Sequence, residues 1–122
     1  MAKLSIVIPA YNEERTILEL INRVLLVALP AGWEREIIIV NDGSSDKTGE
    51  RLQILTDARV SVINQPNGGK GAAIKTGFRA AGGDYILIQD ADLEYDPDDY
   101  RHLIGQIDGG ASVVFGARVL GR

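Results

Sequence analysis

Six carboxylates stand within ten residues of this sequence: Asp90, Asp92, Glu94, Asp96, Asp98 and Asp99. Like charges at that density repel one another, so the cluster costs stability unless water or a cation neutralises it. Asp90, Asp92 and Glu94 alternate, and in extended or turning backbone that spacing can aim carboxylates at one ion. Hard oxygen ligands select Mg²⁺, Mn²⁺ or Ca²⁺. Asp90 and Asp92 directly follow an apolar run and are the candidate metal ligands, with Glu94 as a third. Asp96, Asp98 and Asp99 fit a solvated helix N-terminus, where they complement the dipole. An EF-hand loop is excluded, because its sixth position holds Tyr95 instead of glycine and its twelfth holds Arg101 instead of glutamate.

Two further polar groups carry chemistry. Asn67-Gly68-Gly69-Lys70-Gly71 has the look of a phosphate loop, yet a Walker A pattern needs glycine where Asn64 stands and Ser or Thr where Gly71 stands. A dinucleotide fingerprint is also absent, since Pro9-Ala10-Tyr11-Asn12-Glu13 contains no glycine after the first apolar run. Glycines and Lys70 at a helix start still suit an anion, through free N–H groups and the dipole; the bland alternative is a turn that caps the helix. Asp42, before Gly43-Ser44-Ser45-Asp46, can accept hydrogen bonds from a base N–H or a ribose, or can simply close an Asx-turn. Asp46 reads as a structural N-cap. Tyr11 offers a ring for stacking on a planar ligand or a lid over the core. Trp33 reads as a hydrophobic plug in the loop before the second strand, and His102, the single histidine, as surface or satisfied structure.

The elements that must position these residues follow from apolar periodicity. Leu4–Ile8, Glu36–Val40, Val60–Ile63, Tyr85–Gln89 and Ser112–Phe115 read as short, buried strands. Ile17, Leu18, Ile21, Val24, Leu25 and Leu29 recur at helical spacing, so a helix capped by Asn12 or Thr16 runs to about Val27. A second helix opens at Ser45 or Asp46 and ends near Thr56. A third covers Lys70–Ala81, and a fourth starts at Pro97 and ends near Ile107. This alternation predicts an α/β fold, a Rossmann-like, mostly parallel sheet with helices on both faces. In such a sheet three polar clusters, Pro9–Glu13, Asn41–Asp46 and Asp90–Asp96, which follow strands one, two and four, emerge along one edge. That edge is where ligands bind in open α/β sheets.

Composition bounds the alternatives. The 122 residues make one domain, with 45% apolar residues and no cysteine, which excludes a disulfide scaffold, a thiolate metal site and a cysteine nucleophile. A net charge of −4 argues against a general nucleic-acid binder. No window approaches the roughly 18 apolar residues of a membrane span, and the first apolar run is too short for a signal peptide because it ends at Pro9. A cytoplasmic location is the expectation.

Ser5-Ile-Val-Ile-Pro-Ala-Tyr-Asn-Glu13, Ile39-Val-Asn-Asp-Gly-Ser-Ser-Asp46, Gly69-Lys-Gly71 and Asp90-Ala-Asp92, in this order, resemble the family 2 glycosyltransferases of the GT-A fold. The Asn-X-Gly-Lys-Gly element and Gly116-Ala117-Arg118 are similar to the polyprenyl-phosphate branch, which includes dolichol-phosphate mannose synthase. The resemblance implies that Pro9, Tyr11, Glu13 and Asp42 hold the nucleotide base and ribose. It further implies that Asp90 and Asp92, with Ala91 between them, form an Asp-X-Asp pair binding Mg²⁺ or Mn²⁺ at the donor diphosphate, with Glu94 as a further ligand. Lys70 and Arg118 would lie near the phosphates, and Asp90, Asp92 and Arg118 are the implied catalytic positions. Asn41 stands where many relatives carry a second aspartate. The implied reaction is inverting transfer from a nucleotide-diphosphate sugar, GDP- or UDP-linked, to a polyprenyl phosphate. The alternatives are transfer to a saccharide hydroxyl and a non-catalytic nucleotide-binding domain. The resemblance also implies sequence beyond Arg122, so the expectation is the donor-binding portion of a longer, membrane-associated protein, able to form a homo-oligomer.

Overall fold

The computed structural model describes residues 2–91, 97, 100, 101, 104, 113–114 and 117–121, the last two stretches as strand backbone. The chain order is β1 (Ala2–Ala10), α1 (Ile17–Leu26), β2 (Trp33–Asp42), α2 (Thr48–Leu52), β3 (Val60–Gln65), α3 (Lys70–Ala80), β4 (Tyr85–Ile88), β5 (Val113–Val114) and β6 (Ala117–Gly121). They form one sheet in the order β3-β2-β1-β4-β6-β5. The first four strands are mutually parallel, as the apolar pattern predicts.

The strand period of two divides the core between the faces of the sheet. Leu4, Ile6, Ile8, Ile37, Ile39 and Leu87 pack with Ile17, Leu20, Ile21 and Val24 of α1, Leu52 of α2, and Tyr100 and Ile104. Val7, Ile38, Val40 and Ile86 pack on the other face with Ala73 and, partly buried, Phe78 of α3. Right-handed crossovers explain the sides. The chain steps one way from β1 to β2 to β3, which leaves α1 and α2 on one face. It then steps back past β1 to β4, which places α3 on the other. That reversal makes the gap between β1 and β4 the topological switch point.

Several boundaries differ from the sequence reading. β2 begins at Trp33 and continues through Asp42, because Asn41 pairs with Ala10 and Asn64, and Asp42 pairs with Gln65. Trp33 therefore opens a strand; its ring lies 5.4 Å from that of Tyr85, centroid to centroid, and seals the core at the edge opposite the strand ends just described. α2 is shorter than expected, since the amides of Ile54 and Leu55 bond to carbonyls three residues back and the helix unwinds there. The fifth strand is Val113–Val114 at the sheet edge, and β6 inserts antiparallel between it and β4. Two intervening residues cannot form a crossover, so β5 and β6 pair antiparallel. Of the expected fourth helix, the described positions Tyr100, Arg101 and Ile104 are helical; His102 lies outside the described residues. Among the described residues no helix is long and apolar enough to cross a membrane.

At the opposite edge from the polar groups, a carboxylate ties strand starts together. Glu36 Oε2 accepts from the hydroxyl of the fully buried Ser5 and from the Gly82 amide, while Lys3 Nζ lies 3.7 Å from Oε1. Burial alone pushes the Glu36 pKa up, but the bonds from Ser5 and Gly82 and the Lys3 charge outweigh it, so the group sits below the ordinary glutamate value. A depressed carboxylate stabilises the fold above its unfolded pKa, and that contribution disappears as pH falls through the folded value. Melting temperature is therefore expected to drop as pH falls below the ordinary glutamate range, and Glu36→Gln to flatten part of that drop; calorimetric melting of both chains against pH checks it.

Candidate functional site

The loops after β1, β2, β3 and β4 meet around a cleft of about 370 Å³ at the C-terminal edge of the sheet. Pro9, Ala10, Tyr11, Glu13, Asp42, Asn67, Gly69, Lys70, Ala73, Asp90 and Ala91 line it. Pro9, Tyr11, Glu13, Asp42, Lys70, Asp90 and Ala91, all candidates from the sequence, thus converge from segments up to eighty residues apart. Tyr11 leaves 49% of its surface exposed, which favours the stacking role over a core lid. Asp92 and Glu94 lie outside the described residues. Arg118 pairs with Ile88 through the β4–β6 ladder, so its backbone stands two residues before Asp90 along the neighbouring strand.

Asp42 organises one wall. Only 3% of it is exposed, and its carboxylate accepts from Gln65 Nε2 (2.9 Å), the Gly68 amide (2.9 Å) and the Gly69 amide (2.9 Å). The Asn67 side-chain amide donates to the Asp42 carbonyl at 3.0 Å. The bond from Gln65 is the largest influence on the Asp42 pKa; burial opposes it, the two glycine amides add to it, and the carboxyl is held below its usual range. This arrangement corrects the sequence reading of the glycine loop. The amides of Gly68 and Gly69 are already occupied by the protein's own carboxylate, so they cannot also cradle a phosphate. An anionic ligand would meet Lys70 and the first amides of α3, whose helical bonds begin at the Ala73 amide. Gly43 makes the wall possible: its φ is +69°, and a Cβ there would stand 2.5 Å from the Asn67 amide nitrogen.

The opposite wall depends on Asn12, which the sequence marks as a turn residue or a helix cap and not as a site residue. Its φ is +52°, a left-handed conformation that asparagine tolerates better than most residues. Its Oδ1 accepts from the amides of Ser45 (2.8 Å) and Asp46 (3.3 Å), and its own amide donates to Ser44 Oγ at 3.0 Å. Beside it, the Glu13 amide donates to Thr48 Oγ1 at 2.9 Å, and the Thr48 hydroxyl donates to Asp46 Oδ1 at 2.6 Å. Asp46 is structural, as expected, but it is not the N-cap: Lys47 holds that position, and Asp46 Oδ1 accepts from the Thr48 amide at 2.9 Å. Burial pushes its pKa up, but bonds from Thr48 and the Glu14 amide hold it low. These bonds set the backbone on both sides of Tyr11 and Glu13. Thr16 occupies the N-cap of α1 without capping it; its hydroxyl donates instead to the Ala91 carbonyl at 2.7 Å, tying α1 to the segment after β4.

At the floor, Lys70 Nζ donates to Asp90 Oδ1 in an ion pair. Among the described residues no group of three or more His, Cys, Asp or Glu side chains gathers as a metal cage. Asp90 nevertheless supplies hard oxygens at the strand end, and the lysine ammonium already occupies one of them as a cation would. Asp90 is the one described member of the expected donor set, and carboxylate oxygens are of the class that hard divalent ions take.

The chain matches the family model described as Glycosyl transferase family 2 over residues 5–122. It is similar to S. aureus TarS 1–349 in complex with UDP-GlcNAc, with 28% identity and a TM-score of 0.73 over 88% of this chain and 31% of that one. It is also similar to the mannosyltransferase PcManGT from Pyrobaculum calidifontis in complex with GDP-Man and Mn²⁺, with 25% identity and a TM-score of 0.68 over 80% of this chain and 30% of that one. Glucosyl-3-phosphoglycerate synthase from Mycobacterium tuberculosis, in complex with UDP, is 26% identical with a TM-score of 0.71, over 92% of this chain and 42% of that one. The chain thus spans less than half the length of each of these structures.

Proposed function

The chain belongs to glycosyl transferase family 2, and on that premise we propose that its cleft is the donor site of an inverting, metal-dependent glycosyltransferase. The carrying observation is the convergence of Pro9, Tyr11, Glu13, Asp42, Lys70, Asp90 and Ala91 on one cleft at the sheet's switch point. The charge layout orients the ligand. Asp42 is an internal anion, so the neutral base and ribose belong beside it, with Tyr11 and Pro9 against the ring and Glu13 near the sugar hydroxyls. The diphosphate belongs at Lys70 and Asp90. The solved relatives carry UDP, UDP-GlcNAc and GDP-Man, which supports a nucleotide sugar as the ligand class.

Asp90 and Asp92, with Glu94, are the residues that would hold Mg²⁺ or Mn²⁺. A bound cation there neutralises charge that develops on the departing diphosphate. Lys70 would add positive charge toward the same group, and the family resemblance assigns Arg118 the same task. The acceptor we propose is a polyprenyl phosphate. The Asn67-Gly68-Gly69-Lys70-Gly71 and Gly116-Ala117-Arg118 segments support that branch, and a phosphate acceptor is already ionised near neutral pH and needs no general base from this chain. Such an acceptor would place the protein at the cytoplasmic face of a membrane.

Calorimetric titration with UDP and GDP in the presence of Mn²⁺ tests the donor reading. One of the two is expected to bind with a cation requirement, and Asp92→Ala to lose that binding while melting at the wild-type temperature. Absence of nucleotide binding at any Mn²⁺ concentration would overturn the reading.

A further inference from the structure

The Lys70–Asp90 ion pair lines the cleft and joins the first residue of α3 to the second residue after the β4 end. Its side chains are 61% and 39% exposed, so water reaches both and the pair is replaceable. One Asp90 oxygen carries the lysine ammonium. A divalent cation brought to the same carboxylate meets that positive charge at contact range and is repelled by it. An ammonium leaving Asp90 is solvated, and a second anion in the cleft would draw it away. Asp42 cannot serve, since its oxygens already accept from Gln65, Gly68 and Gly69. A diphosphate in the cleft can.

We propose that Lys70 is a resident counter-ion of Asp90 that makes cation and nucleoside-diphosphate binding mutually dependent. Without nucleotide, Lys70 competes with the cation for Asp90. With nucleotide, Lys70 transfers to the diphosphate, and the carboxylate opens to the metal. Linkage makes the effect reciprocal, so each ligand raises the other's affinity by the same factor. Lys70 is in this sense a positioning and coupling residue, and the inference rests on the donor reading above for the identity of its second partner.

The test is calorimetric titration of Mn²⁺ into the chain, alone and with saturating UDP or GDP, for the wild type, Lys70→Gln and Lys70→Arg. In the wild type, nucleotide is expected to raise Mn²⁺ affinity by about tenfold or more. Lys70→Gln is expected to bind Mn²⁺ alone roughly threefold to fivefold more tightly than the wild type, and to lose most of the enhancement by nucleotide. Lys70→Arg retains the charge and is expected to follow the wild type in the Mn²⁺-only arm. Lys70→Gln binding Mn²⁺ alone no more tightly than the wild type would overturn the proposal. That arm contains no nucleotide, so it decides the competition at Asp90 even if UDP and GDP both fail to bind and the donor reading falls.

Discussion

Asp42→Ala is expected to lower the unfolding free energy by about 2–4 kcal/mol and to reduce nucleotide affinity at least roughly tenfold. The carboxylate gathers donors from Gln65, Gly68 and Gly69, residues 23 to 27 positions away in sequence. Bonds to a charged acceptor contribute more than neutral ones, and removing the acceptor leaves partly buried donors to find water. The loop before α3 then loses what holds it to the end of β2, and Lys70 at the start of that helix loses its placement. Asp42→Asn keeps one oxygen and is expected to fall between the two. Urea unfolding and UDP or GDP calorimetry measure both effects. Wild-type stability together with wild-type affinity in Asp42→Ala would mean that the loop holds its shape without the carboxylate.

The second large effect is expected at Gly77. A Cβ built there stands 2.3 Å from Val7 Cγ1 and 3.2 Å from Val7 Cγ2, a distance that real side chains do not adopt. Val7 is fully buried on β1, which is hydrogen-bonded to strands on both sides and cannot retreat. Overpacking of this kind costs about 1–3 kcal/mol, against a gain of up to about 1 kcal/mol in helix propensity for alanine over glycine. Gly77→Ala is therefore expected to destabilise, and Gly77→Val, larger and β-branched, to cost about 3 kcal/mol or more. Gly71, the second residue of the same helix, provides the contrast: nothing lies within 4 Å of its Cβ position. Gly71→Ala is expected to be neutral or stabilising. Thermal melts of the three variants check the ordering, and equal melting temperatures for Gly77→Ala and Gly71→Ala would contradict the packing argument.

Both predictions concern contacts that no local pattern reveals. The strands were legible because burial on two faces demands nearly continuous apolar runs such as Leu4–Ile8 and Glu36–Val40. The helices were legible because one buried face repeats every three to four residues. Their ends were less so. Asn41 and Asp42 look like turn residues, but ladder partners on both sides of Asn41 and one beside Asp42 keep them in β2. β6 was missed because Gly116, Gly121 and Arg118 break the apolar run that marks the other strands.

The candidate site divides in the same way. Residue type and position at strand ends were enough to point to Tyr11, Asp42 and Asp90, because a parallel sheet carries its strand ends to one edge whatever the details; the glycine loop added Lys70, and the family resemblance added Pro9 and Glu13. Asn12 and Asn67 were not selected as site residues. Their roles depend on partners 25 to 34 positions distant and on hydrogen bonds that exist only within a few tenths of an ångström. The glycine loop shows the division best. Its composition alone suits an anion, and it does hold one. That the anion is the Asp42 carboxylate of the same chain, leaving Lys70 to pair with Asp90, was decided only by the register that sets β2 beside β3 and the strand order that sets β4 beside β1. Composition and period are local properties of the chain, whereas the identity of a hydrogen-bond partner is a property of the folded sheet.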